Sequence, residues 1–141
     1  MGFNVNEEIL DDRSKTIHIL SADSSGPSTQ AFDTSTLEDA ISGQNNIVSL
    51  FVEYSLATGD GTPTAPTSLT IQFHNGTSQE TLWVAFGNGS VKLSNPFVGD
   101  GSNGSVSFTF SGLGSAIITL IKGEGFETTN KHYKKVSGRG N

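Results

Sequence analysis

The sequence predicts an all-β fold: an antiparallel β-sandwich, jelly-roll-like, with one short helix. Three observations predict it. Apolar and polar residues alternate with period two in four separate runs, as in strands that bury one face. Asn-Gly pairs punctuate these runs at Asn75-Gly76, Asn88-Gly89 and Asn103-Gly104, and Asn-Gly favours the positive φ that a tight hairpin turn needs. A longer connection over residues 57–68 carries Gly59, Gly61, Pro63 and Pro66, which suits a chain crossing from one sheet to another.

Taken in order, residues 1–14 are expected as an N-terminal arm, with an acidic cluster of Glu7, Glu8, Asp11 and Asp12. The sandwich is expected over residues 15–127. Its first strand is residues 16–20, Thr-Ile-His-Ile-Leu, followed by a loop over 21–28 that Gly26-Pro27 keeps irregular. Residues 35–42 are expected as the helix. Ser35 and Glu38 form a capping box, Leu37, Ala40 and Ile41 an apolar stripe, and Gly43 a C-terminal cap. So short a helix needs packing to persist.

Four strands follow from alternation. Val48, Leu50, Val52 and Tyr54 oppose Ser49, Phe51 and Glu53, and Leu69, Ile71 and Phe73 oppose Thr70, Gln72 and His74. Leu82, Val84 and Phe86 oppose Thr81, Trp83 and Ala85, and Val106, Phe108 and Phe110 oppose Ser107, Thr109 and Ser111. A short strand is expected at 91–93. Residues 116–121, Ala-Ile-Ile-Thr-Leu-Ile, are apolar on both faces and read as a central strand. Residues 128–141 are expected as a basic tail.

Composition narrows the function classes. The chain has 141 residues, predicting one domain. Charged residues make up 16%, so Ser, Thr, Asn and Gly must supply much of the polar surface. With no cysteine there is no disulfide framework, thiolate metal site or cysteine nucleophile. No apolar run is long enough for a membrane helix, and the start lacks the pattern of a secretory signal. The net charge of −6 divides into +4 on the last eleven residues and −10 on the rest, which argues against a general nucleic-acid surface.

No motif supplies chemistry. The three Asn-Gly-Thr/Ser triplets match the glycosylation acceptor pattern, yet Asn-Gly is also a favoured turn pair. His18, His74 and His132 lack metal-ligand spacing. Residues 100–104 lack the spacing to a glutamate that a calcium loop requires. Gly112-Leu113-Gly114-Ser115 reads as a turn rather than a nucleophile elbow. The expectation is therefore a non-enzyme with no catalytic, cofactor or metal residues.

Contact residues are the remaining candidates. Phe3, Val5, Ile9 and Leu10 lie outside the expected sandwich, as do Lys131, Tyr133, Lys134, Lys135 and Arg139. If the even-numbered alternating residues face the core, Phe51 and Trp83 form an exposed aromatic face.

The Gly/Ser/Thr/Asn-rich strand-and-turn texture, from Leu69-Thr-Ile-Gln-Phe-His-Asn-Gly to Gly104-Ser-Val-Ser-Phe-Thr-Phe-Ser-Gly, resembles the small decoration, or cement, proteins of tailed-bacteriophage heads. The resemblance is textural, over residues 16–126, and transfers no individual residue. It implies a homodimer or homotrimer on the capsid surface of a virion, assembled in the host cytoplasm. It also implies the major capsid protein as partner, with no role for nucleic acid or membrane. The alternative is a carbohydrate-binding β-sandwich using Trp83, Phe51 or loop residues such as Asp60 and Asp100.

Overall fold

The computed structural model describes residues 2–12, 14–23, 27–37, 40, 46–58, 66–75, 78–98, 104–123 and 126. In chain order the strands are β1 (Phe3–Asp11), β2 (Lys15–Ala22), β3 (Ser28–Asp33), β4 (Asn46–Leu56), β5 (Ser68–Asn75), β6 (Ser78–Phe86), β7 (Asn88–Val98), β8 (Gly104–Phe110) and β9 (Gly114–Lys122). One sheet has the order β1-β2-β9-β4-β7 and the other β3-β8-β5-β6, all pairs antiparallel. From β2 onward every connection except β5–β6 changes sheet. That is a jelly roll, with β1 added at one edge. The 57–68 connection carries the chain from β4 in one sheet to β5 in the other, as its length predicts.

The core is the apolar filling between the sheets. Leu20, Leu50, Val52, Ile118 and Leu120 project from one, and Leu69, Ile71, Val106, Phe108 and Phe110 from the other, all at most 1% exposed. Burying each such side chain contributes about 1.5–3 kcal/mol. Phe32 meets Phe108 edge-on at 5.7 Å, and Phe3 meets Phe110 at 5.8 Å. β9 runs between β2 and β4, the central position its apolar sequence predicts.

Several expectations are corrected. Residues 3–11 are not an arm: they pair with β2 from Phe3↔Ala22 to Asp11↔Thr16. Ser28, placed in a loop, begins β3. The expected helix is absent from the described residues. Thr34–Thr36 form one 3-10 turn, the Thr36 hydroxyl donates to the Asp33 carbonyl at 2.8 Å, and Ala40 bridges Phe126 in antiparallel fashion. Residues 38, 39, 41 and 42 of the expected helix lie outside the described residues. Asn88-Gly89 is not a hairpin turn; both residues lie in β7, opposite Ser55 and Tyr54. Gly87, at φ +74°, makes the change of direction instead. Asn75-Gly76 does separate a hairpin, in which Asn75 pairs with Ser78. The turn geometry of residues 76–77, the Asn103 turn and the basic tail lie outside the described residues.

Two irregularities in register reverse the expected faces. The β4 pairings slip between Ile47 and Ser49, so Ile47 is fully buried while Val48 is 40% exposed. In β6 the slip leaves Leu82 as the extra residue between Trp83, opposite Ile71, and Thr81, opposite Gln72. Ala85 thereby reaches the core, and Val84 and Phe86 are exposed. A bulge shifts side-chain alternation by one residue, which period-two counting alone cannot detect.

Candidate interaction surface

The outer side of the five-stranded sheet follows directly from the pairing register. One row runs Leu10, Ile17, Thr119, Phe51, Lys92, and the next runs Glu7, Ile19, Ile117, Glu53, Ser90. Ile121 lies beside Lys15 and Ser49 in the row beyond Thr119. Cross-strand partners share a face, so Leu10, Ile17, Ile19, Ile117, Ile121 and Phe51 form an apolar field on the side away from the core. No strand or helix among the described residues crosses this field. Ile117, near its centre, is 42% exposed; the others are half-buried by their neighbours. Ile19, Ile117, Glu53, Ser55 and Ser115 line a shallow open depression there.

The other sheet's outer side has different chemistry. Its rows include Thr29, Thr109, Thr70 and Val84, then Ala31, Ser107, Gln72 and Thr81. Many of these polar groups bond to one another. Thr29 and Thr109 share a hydrogen bond of 2.9 Å, the Gln72 amide donates to Thr81 at 3.2 Å, and His74 meets Ser107 at 2.9 Å. The two broad surfaces are thus an apolar field and a largely uncharged polar grid.

A third polar constellation closes the edge where β1 faces β3. Ser28 Oγ accepts from Gly2 N and donates to the Gly2 carbonyl. Asn6 Nδ2 donates to Gln30 Oε1 at 2.7 Å, and Asn6 Oδ1 lies 2.6 Å from His18 Nε2. Because Asn6 uses its amino group on Gln30, its oxygen accepts, which assigns the proton to His18 Nε2. The His18 ring packs edge-on against Phe32 at 4.9 Å. Burial lowers its pKa from the ordinary value of 6.5, with Glu8 pulling the other way. Among the described residues no three His, Asp or Glu side chains cluster as metal ligands, and no helix is long and apolar enough to cross a membrane.

The structure disperses the expected contact residues. Phe3 packs against the core at Phe110 rather than standing free. Val5 and Leu10 are on the outer face of β1, and Ile9, 53% exposed, is the extra residue of an irregularity between Glu8 and Leu10. Phe51 does lie on an outer face, flanked by Lys92 and Thr119. Trp83 does not: it is 43% exposed at the β6 edge, but pairing with Ile71 puts it on the core side of the other sheet. The two aromatics therefore do not form one platform. Lys131, Tyr133, Lys134, Lys135 and Arg139 lie outside the described residues. Sequence reasoning missed this face: it reads residues 116–121, with Ile117 and Ile121, as a central strand, and residues 16–20, with Ile17 and Ile19, as a strand with no face assigned.

No family model matches this chain, and no curated protein does. Among solved structures the chain is similar to one from the Cowpea Mosaic Virus empty virus-like particle, at TM-score 0.48 and 9% identity over 88% of this chain and 86% of that one. It is also similar to the Yersinia pseudotuberculosis-derived mitogen, at TM-score 0.46 and 9% identity over 84% and 92% of the two chains. TmCBM61, solved with β-1,4-galactotriose, matches at TM-score 0.30 and 8% identity over 83% and 64%. At such identities the likeness is one of fold.

Proposed function

We propose that this protein is a structural, non-catalytic module that docks the outer side of its five-stranded sheet onto another protein. Its role is that of a decoration protein bound to the outside of a tailed-phage head. The apolar field around Ile117 carries this reading, because contiguous exposed apolar surface rimmed by polar residues is characteristic of protein interfaces. The partner is the major capsid protein, the location is the virion surface, and the working unit is a homodimer or homotrimer. Burying apolar area across a joint between shell subunits stabilises the joint, and repetition over the shell multiplies a modest contact. The net charge of −6 supports a protein rather than a nucleic-acid partner.

The test is a titration of purified protein onto expanded heads that lack it, followed by sedimentation. Saturable binding by the parent chain, weakened at least about tenfold by Ile117→Glu or Phe51→Glu, supports the reading. Absence of binding, or binding indifferent to both substitutions, overturns it.

A second reading, carbohydrate binding, has its own support in Trp83, Val84 and Phe86, which are 43%, 49% and 58% exposed along β6. An exposed ring can stack on a sugar: Phe86 shares its face with the hydroxyl-rich grid, which offers hydrogen bonds, and Trp83 stands on the opposite face of the same edge strand. A glycan screen with Trp83→Ala and Phe86→Ala controls separates the two: a signal abolished by these variants favours the sugar.

A further inference from the structure

Charge gives the outer side of the five-stranded sheet a direction. Among its described residues Lys15 stands in the row of Ile121 and Ser49, and Lys92 in the next row, beside Phe51. Glu7 and Glu53 both stand in the row after that, with Ile19 and Ile117 between them. A basic end and an acidic end thus flank one apolar field. Glu7, Glu53 and Lys92 are exposed and Lys15 is half-buried. None of the four forms an ion pair among the described residues.

Neighbouring strands lie about 4.8 Å apart, and same-face neighbours along a strand about 6.8 Å apart. On that grid one line, tilted about 15° from the rows and passing by Ile17, bisects both Lys15–Glu7 and Lys92–Glu53. We propose that in the free protein a second copy of this chain covers the field, face to face, about a two-fold axis along that line.

Rotation about this axis sets Lys15 against the partner's Glu7 and Lys92 against the partner's Glu53, and symmetry repeats each pair. The same rotation sets Ile17 against the partner's Ile17, Ile19 against the partner's Ile121, and Phe51 against the partner's Ile117. Apolar side chains therefore meet apolar ones inside a ring of opposite charges. The strands of the two copies cross at twice the tilt, about 30°, which is how twisted sheets pack face to face. An axis along the strands would keep each row on itself, glutamates with glutamates, and leave the lysines no acid to meet. Five strands and three rows cover roughly 24 by 20 Å, about 500 Å² on each copy, so the pair buries about the 1,000 Å² a specific interface needs. Burial supplies the affinity, and the charges choose the angle and make the contact sensitive to salt. This dimer is the state of the free chain, and a shell protein docking on the same face displaces it. The inference is independent of the shell reading.

Sedimentation equilibrium of the full-length chain at low salt tests it, with circular dichroism confirming that each variant keeps its sheets. The parent chain is a dimer. Glu53→Lys and Lys92→Glu, both at exposed positions, each bring like charges together twice in their own homodimer and weaken it at least about tenfold. Mixing the two variants in equal amounts restores the dimer, because one copy of each has opposite charges at both contacts. An attraction confined to one chain, between β4 and β7, gains nothing from mixing. If either variant does not fold, Glu7→Lys with Lys15→Glu supplies the same experiment at the other pair. A monomer at every concentration overturns the proposal, and so does a trimer. A dimer indifferent to both substitutions, or a mixture no tighter than either variant alone, also overturns it. A monomer that still binds heads sinks this inference and leaves the shell reading standing; a dimer that binds no heads does the reverse.

Discussion

Lys122, the last residue of β9, forms an ion pair with Asp11, the last residue of β1, although β2 lies between the two strands. The lysine side chain is fully buried and the aspartate 10% exposed. The same ammonium donates to the Asp12 carbonyl, and the Thr16 hydroxyl donates to Asp11 at 2.8 Å. One buried cation thus fastens the added N-terminal hairpin to the end of the central strand.

Breaking this pair from either side should be costly. Asp11→Ala or Lys122→Met leaves a buried partner without its main counter-charge, at about 3–5 kcal/mol. The double variant Asp11→Leu/Lys122→Met removes both charges and should cost clearly less than the sum of the singles. Urea unfolding at neutral pH measures all three. Single losses below about 1 kcal/mol would show that the hairpin is held by its β2 pairing alone.

His18 should make stability depend on pH. Its folded pKa is depressed below 6.5 by burial, so between the folded value and 6.5 the unfolded chain binds the extra proton. Stability is then fully present above 6.5 and declines as pH falls through the window beneath it, levelling once the folded ring is protonated too. His18→Gln, which can still donate to Asn6, should flatten that decline, whereas Glu8→Gln, by removing the opposing charge, should deepen it. Unfolding midpoints between pH 8 and pH 5 for the three proteins decide; parallel curves for parent and His18→Gln would refute the assignment.

Two glycines should fail for different reasons. Gly87 sits at φ +74° with open space where a Cβ would go, so Gly87→Ala costs about 1–2 kcal/mol of backbone strain. At Gly114 an added Cβ would lie 2.7 Å from Leu56 Cδ2 and 3.3 Å from the Ser55 carbonyl oxygen. Gly114→Ala must displace a core side chain, at about 1–3 kcal/mol. Asparagine separates the mechanisms: it tolerates positive φ, so Gly87→Asn should be milder than Gly87→Ala, while the bulkier Gly114→Asn should be worse than Gly114→Ala. Thermal melts read the order, and the same order at both sites would contradict this account.

The sandwich was legible because alternation survives wherever pairing is regular: Leu69 and Ile71, or Val106, Phe108 and Phe110, point inward as the sequence predicts. It misled at Val48, which turns outward while Ile47 before it and Leu50 and Val52 after it point inward, and around Leu82, where one extra residue reverses the side chains from Trp83 to Phe86. β1 was hidden because most of its residues are exposed on both faces, a pattern that looks like an arm. The apolar field was visible in part, since Thr-Ile-His-Ile-Leu and Ala-Ile-Ile-Thr-Leu-Ile are too apolar for strands with one wet face. Sequence could not say whether a layer covered the second face. The pairing of Ile19 with Ile117 on the outer side answers that for the described residues.

That outer face yields the prediction that separates folding from function. Ile117 is 42% exposed, so Ile117→Glu gives up part of its burial and sets a carboxylate opposite Glu53, and should cost about 1–2 kcal/mol. Phe108, fully buried, is the contrast: Phe108→Ala should cost about 3–5 kcal/mol. If the field is an interface, Ile117→Glu should lose binding to shells and any self-association while staying folded, its melt much closer to the parent's than that of Phe108→Ala. Analytical ultracentrifugation and denaturation on the same samples provide both readouts. A variant that unfolds early would mean that Ile117 serves the fold. One that melts and associates like the parent would mean that the apolar field contacts nothing.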